Sequence, residues 1–233
     1  MTMTSPAQQH RTRVLAARAS AADGDAPAVM GGIYGQMMAK LTQDRRRLHD
    51  IQSVERKVAV KRELVPEYAD YLQGVLAGDG GQPDEVVTTL MVWHFDIGAF
   101  ASGLQLADYV LRHDLQLPER LKRNTATLLL DEVAGQVANG AISKPEEAIQ
   151  VLQEVARLVD GQDAPDQARA KLHLALGKTL AAQAGEEPRG PQLEMARAGV
   201  AQLRRAVELH SGVGAKKLIE QLERKIKNAG NAG

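Results

Sequence analysis

The chain has no cysteine. Disulfides, thiolate metal sites, iron–sulfur clusters and cysteine nucleophiles are therefore excluded, and the composition fits a reducing compartment. Aromatic residues make up 3% of the sequence, too few for a binder that stacks bases on strand-borne rings. No apolar run approaches the length of a membrane span. None follows the charges of the opening segment MTMTSPAQQHRTR either, so no signal peptide is expected. The phosphate-cradling patterns GxxxxGK followed by Ser or Thr, and GxGxxG, are missing, which argues against an ATP-driven motor in this chain. Net charge is missing too: 29 basic side chains face 29 acidic ones across 233 residues.

That zero conceals a split. From Met1 to Arg62 there are 11 Lys and Arg against 5 Asp and Glu, and the remainder holds 18 against 24. A basic front can follow a phosphate backbone, and an acidic body cannot. The candidate DNA contacts are Arg11, Arg13, Arg18, Lys40, Arg45, Arg46, Arg47, Arg56, Lys57, Lys61 and Arg62. The alternative is a solvated helix face whose bases pair with Asp44, Asp50, Glu55 and Glu63 at helical spacing.

Ala, Leu, Gln, Glu, Lys and Arg dominate, and long runs of strand formers do not occur. The expected fold is all-α. Residues 1–27 read as a basic arm: Ser5 caps a short helix with Pro6 just inside it, and 22–32 follow as a hinge or loop. A single long helix is expected from Ile33 to Val65 within a region 28–77 that oligomerises and binds DNA. Its coiled-coil-like stripe is Tyr34, Met37, Leu41, Leu48, Ile51, Val54 and Val58. Helical hairpins, partly tetratricopeptide-like, are expected over 83–227. Their signals include Pro83, Asp84 and Glu85 opening one helix, Thr125 another and Pro145 a third. Ala198, Leu203, Ala206 and Leu209 give a small–large rhythm late in the chain. Residues 228–233 read as a frayed tail.

Catalytic signals are sparse. The acids Asp79, Asp84, Glu85, Asp96, Asp108, Asp131 and Glu132 show no nuclease-like spacing, and six histidines are scattered without a metal-ligand pattern. Asp84 and Glu85 read as helix-start acids. His94, beside Trp93 and near Asp96, reads as a core or interface histidine.

Several long blocks carry a resemblance. They are YGQMMAKLTQDRRRLHDIQSVERKVAVKRELVPEYADYLQGVL, MVWHFDIGAFASGLQLADYVLRHDLQLPERLKRNTATLLLDEVA, PDQARAKLHLALGK and LRRAVELHSGVGAKKLIEQLER. In this order they resemble the small terminase subunits of P2-like tailed phages, from about Thr4 to Lys227. The resemblance implies recognition of the cohesive-end packaging site on double-stranded phage DNA. It further implies a ring of identical subunits, a large terminase subunit that uses ATP, and residence in the host cytoplasm. The subunit is conventionally called the terminase endonuclease subunit in that family, so the second expectation is a magnesium-dependent nuclease whose carboxylates meet only in the fold. A third is a helical scaffold that binds protein.

Overall fold

The computed structural model describes the backbone of residues 5–21 and 27–230, and their side chains except at 27–31, 120 and 230. The described residues form eleven α-helices and no strand. They fall into two compact units, Met1–Thr125 and Ala126–Gly233.

In the first unit, α1 (Pro6–Ala21) opens on a capping box. The Gln8 amide donates to the Ser5 hydroxyl at 3.3 Å, and the Gln8 side-chain oxygen accepts from the Ser5 amide at 2.9 Å. The helix is docked rather than a free arm. Its buried residues Ala16, Ala19 and Ser20 lie against α4 (Ala69–Gly78), where Gly74 and Gly78 leave room for close approach. Ser20 closes the joint. Its hydroxyl donates to the Val75 carbonyl at 3.1 Å and accepts from the Gly80 amide at 3.1 Å. With the serine proton committed to Val75, the Tyr109 hydroxyl donates to Ser20 at 3.3 Å. Residues 22–26 of the expected hinge and 231–233 of the expected tail lie outside the described residues, while 27–32 belong to a helix.

The single long helix expected from Ile33 to Val65 is two helices. The first, α2, spans Pro27–His49, and the second, α3, spans Val54–Leu64. The break has a local cause. Ser53 takes an extended conformation and its hydroxyl accepts from the Arg56 amide, so it caps a new helix that has Glu55 in its first turn. The apolar stripe does not survive the break as one surface. Leu41 and Leu48 are buried in the unit's own core, Val54 is 76% exposed, and Tyr34, Met37, Ile51 and Val58 are half-buried. Pro66 sits at the start of a 3-10 turn (Val65–Tyr68) that leads into α4.

A hairpin of α5 (Glu85–Asp96) and α6 (Phe100–Arg112) completes the unit. Asp84 caps α5 by accepting from the Val86 and Val87 amides at 2.8 and 3.0 Å. Gly98, at φ +79°, makes the turn, and Gly103 lies against the Phe95 ring. Trp93 meets Tyr68 edge to face with centroids 6.3 Å apart. These contacts bind the hairpin to the N-terminal helices, so the unit boundary falls at Thr125 rather than between 77 and 83. His94 is buried, and its Nδ1 lies 2.7 Å from the Leu90 carbonyl, so it is a core histidine.

The second unit contains α7 (Thr125–Ala138), α8 (Pro145–Leu158), α9 (Asp166–Ala184), α10 (Pro191–Leu209) and α11 (Lys216–Gly230). Helices α9 and α10 approach closely at Gly177 and Gly199, where a Cβ on Gly177 would meet Leu203 Cγ at 2.7 Å. The late small–large rhythm has a shifted register. Ala196, Gly199, Val200, Leu203 and Ala206 are buried, whereas Ala198 is exposed and Leu209 half-buried. Leu222 of α11 seals this core with Ala181, Ala184 and Ala215.

Replacing Gly78 by Leu sets a side chain into α1, with its Cβ 2.8 Å from that of Ser20. The expected loss is about 1–3 kcal/mol, read by urea unfolding, with faster tryptic cleavage after Arg18. Gly35→Ala, where nothing lies within 4 Å, should instead stabilise by up to about 1 kcal/mol. Burial holds the His94 imidazole below its ordinary value, the Leu90 carbonyl working the other way. A depressed folded pKa means that the unfolded chain binds more protons below about pH 6.5. Stability from this group is full above that pH and falls as pH drops towards the folded value. Urea midpoints of the native chain should therefore decline more steeply from about pH 7 to about pH 5 than those of His94→Gln, which lacks this titration.

Candidate nucleic-acid interface

The candidate basic residues divide by whether the fold gives them a carboxylate. Lys40 is held by Asp44 and Glu67, each at 2.8 Å, and lies 4.7 Å from the Tyr68 ring centroid. Burial works against its ammonium, yet these two acids hold it above the ordinary lysine value. Lys61 reaches Asp96 at 2.5 Å and passes 5.9 Å from the Trp93 centroid, with only 17% of its side chain exposed. Arg45 donates to Glu85 at 2.5 Å and to the Thr89 hydroxyl at 2.7 Å. Arg13 meets Asp70 at 3.3 Å, and Arg47 meets Glu63 at 3.2 Å across α2 and α3. These five do structural work, although the Arg13 and Arg47 pairs are open to solvent and weak.

The other six have no ion pair among the described residues. Arg11 and Arg18 are exposed on α1. Arg46 is exposed near the end of α2, Arg56 and Arg62 are exposed on α3, and Lys57 is half-buried there. The geometry follows from the break in the helix. Asp50, Ile51, Gln52 and Ser53 join α2 to α3. The Arg47–Glu63 pair lies between the two helices, next in sequence to Arg46 and Arg62. The outer face of α3 carries Val54, Glu55, Arg56, Ala59, Arg62 and Glu63, all exposed. The α2–α3 corner therefore presents uncommitted guanidinium groups, with an exposed Val54 at the start of its second helix. Such groups can neutralise phosphates and reach base edges.

The acids considered for catalysis have other occupations. Asp84 is buried, caps α5 and accepts from the Tyr71 hydroxyl at 2.5 Å. Burial raises its pKa despite those three donors, and burial together with Asp84 raises that of Tyr71. Glu85 pairs with Arg45, Asp96 with Lys61, and Asp131 with Lys171. Asp79 and Asp108 share Arg112, and Asp79 also takes His113 at 2.8 Å. Those two partners, His113 first, hold the Asp79 carboxyl below the usual range. Among the described residues no three His, Asp or Glu stand together to hold a metal ion. No described helix is long and apolar enough to cross a membrane.

Sequence reasoning missed the partners of the tyrosine hydroxyls. Tyr68 donates to Asp44 at 2.6 Å, and burial, then Asp44, raises its pKa. The signal was Asp44 itself, an acid interrupting an apolar stripe, where burial demands a donor.

Comparison with known proteins gives two findings. A family model described as the phage small terminase subunit matches residues 38–167. The chain is 36% identical over 225 residues to the protein named terminase, endonuclease subunit, of Escherichia phage P2, covering 97% of this chain and 87% of that protein. No solved structure matches.

The division between committed and uncommitted bases is testable by stability alone. Arg46→Gln, Arg56→Gln and Arg62→Gln should each stay within about 0.5 kcal/mol of the native chain in urea unfolding. Lys61→Ala, which strands Asp96 beside Trp93, should cost about 1–3 kcal/mol.

Proposed function

The chain belongs to the phage small terminase family, and from that premise we propose that it recognises the cohesive-end packaging site of double-stranded phage DNA and directs the ATP-using large subunit to it. Its role in the terminase is genome packaging. The observation that carries the finer reading is the α2–α3 corner, where Arg46, Arg56, Lys57 and Arg62 have no carboxylate partner among the described residues while their neighbours Lys40, Arg45 and Lys61 are tied into the fold. A cation tied to a carboxylate brings little net field to a phosphate. An unpaired one releases a counterion when it binds.

Two helices joined by a short connection, the second with an exposed face, can place that second helix in the major groove. On α3 this puts Arg56 and Arg62 within reach of phosphates or guanine edges. Val54, at 76% exposure, suits contact with a thymine methyl. Glu55 on the same face repels phosphates and so favours one register of docking. Arg11 and Arg18 on the docked α1 add charge without sequence information. Assembly of several copies belongs to this reading, because it multiplies these contacts by avidity. With Leu41 and Leu48 inside the unit's own core, the expected stripe leaves Val54 exposed and Tyr34, Met37, Ile51 and Val58 half-buried for such assembly.

The second reading, a metal-dependent endonuclease, is favoured by the name of the P2 relative. The described carboxylates do not gather to fit a magnesium ion.

One titration separates the readings. Binding of the purified chain to a duplex carrying the packaging site, followed across salt, should lose a log–log slope of about 3 when Arg46, Arg56 and Arg62 are all changed to Gln. Lys40→Gln and Arg45→Gln should leave that slope unchanged. With magnesium present, recognition alone leaves the duplex intact, whereas the second reading cuts it.

A further inference from the structure

The second unit carries its own set of uncommitted cations. Half of its basic residues face an acid: Arg157 meets Glu154, Lys171 meets Asp131, Arg189 meets Glu187, Arg197 meets Glu194, Arg204 meets Glu223, Arg205 meets Glu208 and Lys225 meets Glu186. Helix α11 gathers four of the seven that remain. Its Lys216, Lys217, Arg224 and Lys227 are exposed and have no ion pair among the described residues. One of its two acids, Glu223, is already taken by Arg204 of α10 at 2.6 Å.

Their placement is ordered. Leu218, Ile219, Leu222 and Ile226 turn inward to the core shared with α9 and α10. At 3.6 residues per turn, the four cations fall within an arc of about 100° on the opposite side, with Glu220 among them. Lys216 and Lys227 lie about 16 Å apart along the axis, a length that passes about four phosphates of one DNA strand.

Helix stability does not explain this pattern. Arg224 and Lys227 suit a helix C-terminus, but Lys216 and Lys217 sit at the opposite end, where the dipole disfavours cations. The first turn of α11 carries no acid to offset them. A protein partner is also disfavoured. Interface cores are depleted in lysine and built on apolar anchors, and this arc has no large apolar side chain.

We propose that the outer face of α11 is a second DNA-backbone contact, in which Lys216, Lys217, Arg224 and Lys227 neutralise phosphates. The proposal rests on the DNA-recognition reading and adds a second site of engagement on the other unit. Two such sites on one chain convert the second contact into an intramolecular event. The ridge reads no bases, so it strengthens binding to any duplex equally.

The test is the full chain with all four cations changed to Gln, titrated with packaging-site and scrambled duplexes across salt, beside the triple α2–α3 variant. Thermal melting of the α11 variant at or above the native temperature confirms its fold, since two unfavourable helix-start charges are gone. The expected result is a loss of about 3.6 in the log–log salt slope, with equal weakening on both duplexes. An unchanged slope in the α11 variant, with a reduced one in the α2–α3 variant, overturns the ridge alone. Loss of large-subunit binding with the DNA slope intact also overturns it and reassigns the face to an acidic protein partner. No DNA binding by the native chain at low salt overturns both readings.

Discussion

A carboxylate can be buried only if donors replace the water it gives up, and the first unit buries two. Asp44 is held by Lys40 and the Tyr68 hydroxyl, at 2.8 and 2.6 Å. Asp84 is held by the Tyr71 hydroxyl and two backbone amides. An unmet carboxylate would cost several kcal/mol, roughly half the stability of a small domain. That demand fixes α2 against the Tyr68 turn and α4 against the start of α5. With those elements fixed, Lys61 reaches Asp96, Arg45 reaches Glu85, and the α5–α6 hairpin locks onto the N-terminal helices.

The same pairing decides which bases remain for a partner. The first unit holds 15 basic and 15 acidic residues, and the second holds 14 of each. The +6 front seen up to Arg62 is therefore balanced within its own unit, because Glu67, Asp70, Glu85 and Asp96 come back to meet Lys40, Arg13, Arg45 and Lys61. Net charge along the sequence overstates the field of this segment. The uncommitted positions among the described residues are fewer than the basic count suggested: Arg46, Arg56, Lys57 and Arg62 gather around one helical corner, and Arg11 and Arg18 lie on α1.

Helices announced by local chemistry were legible. Asp84 after Pro83 marked the start of α5, Pro145 before two glutamates marked α8, and Thr125 marked the start of α7. The break at Asp50–Ser53 was not, because the apolar spacing runs on through it and one serine cap is a small local preference. The docking of α1 was hidden for a related reason. Its buried face is alanine and serine rather than leucine, and the matching surface is Gly74 and Gly78, four residues apart on a helix about fifty residues later. The acid–base pairs lay out of reach because most join residues 16 to 57 positions apart, such as Arg47 with Glu63 and Arg13 with Asp70. The family resemblance was carried by whole blocks, and it gave the packaging role that no single residue pattern supplies.

The central claim is that this terminase subunit meets DNA through the bases its own acids leave free. Photo-crosslinking tests it directly: a packaging-site duplex carrying bromouracil is irradiated with the native chain, and the attached peptides are sequenced. The account predicts attachment within the peptides that span Arg46 to Arg62. Attachment confined to α4 through α10, where the bases are mostly tied to carboxylates, would contradict it.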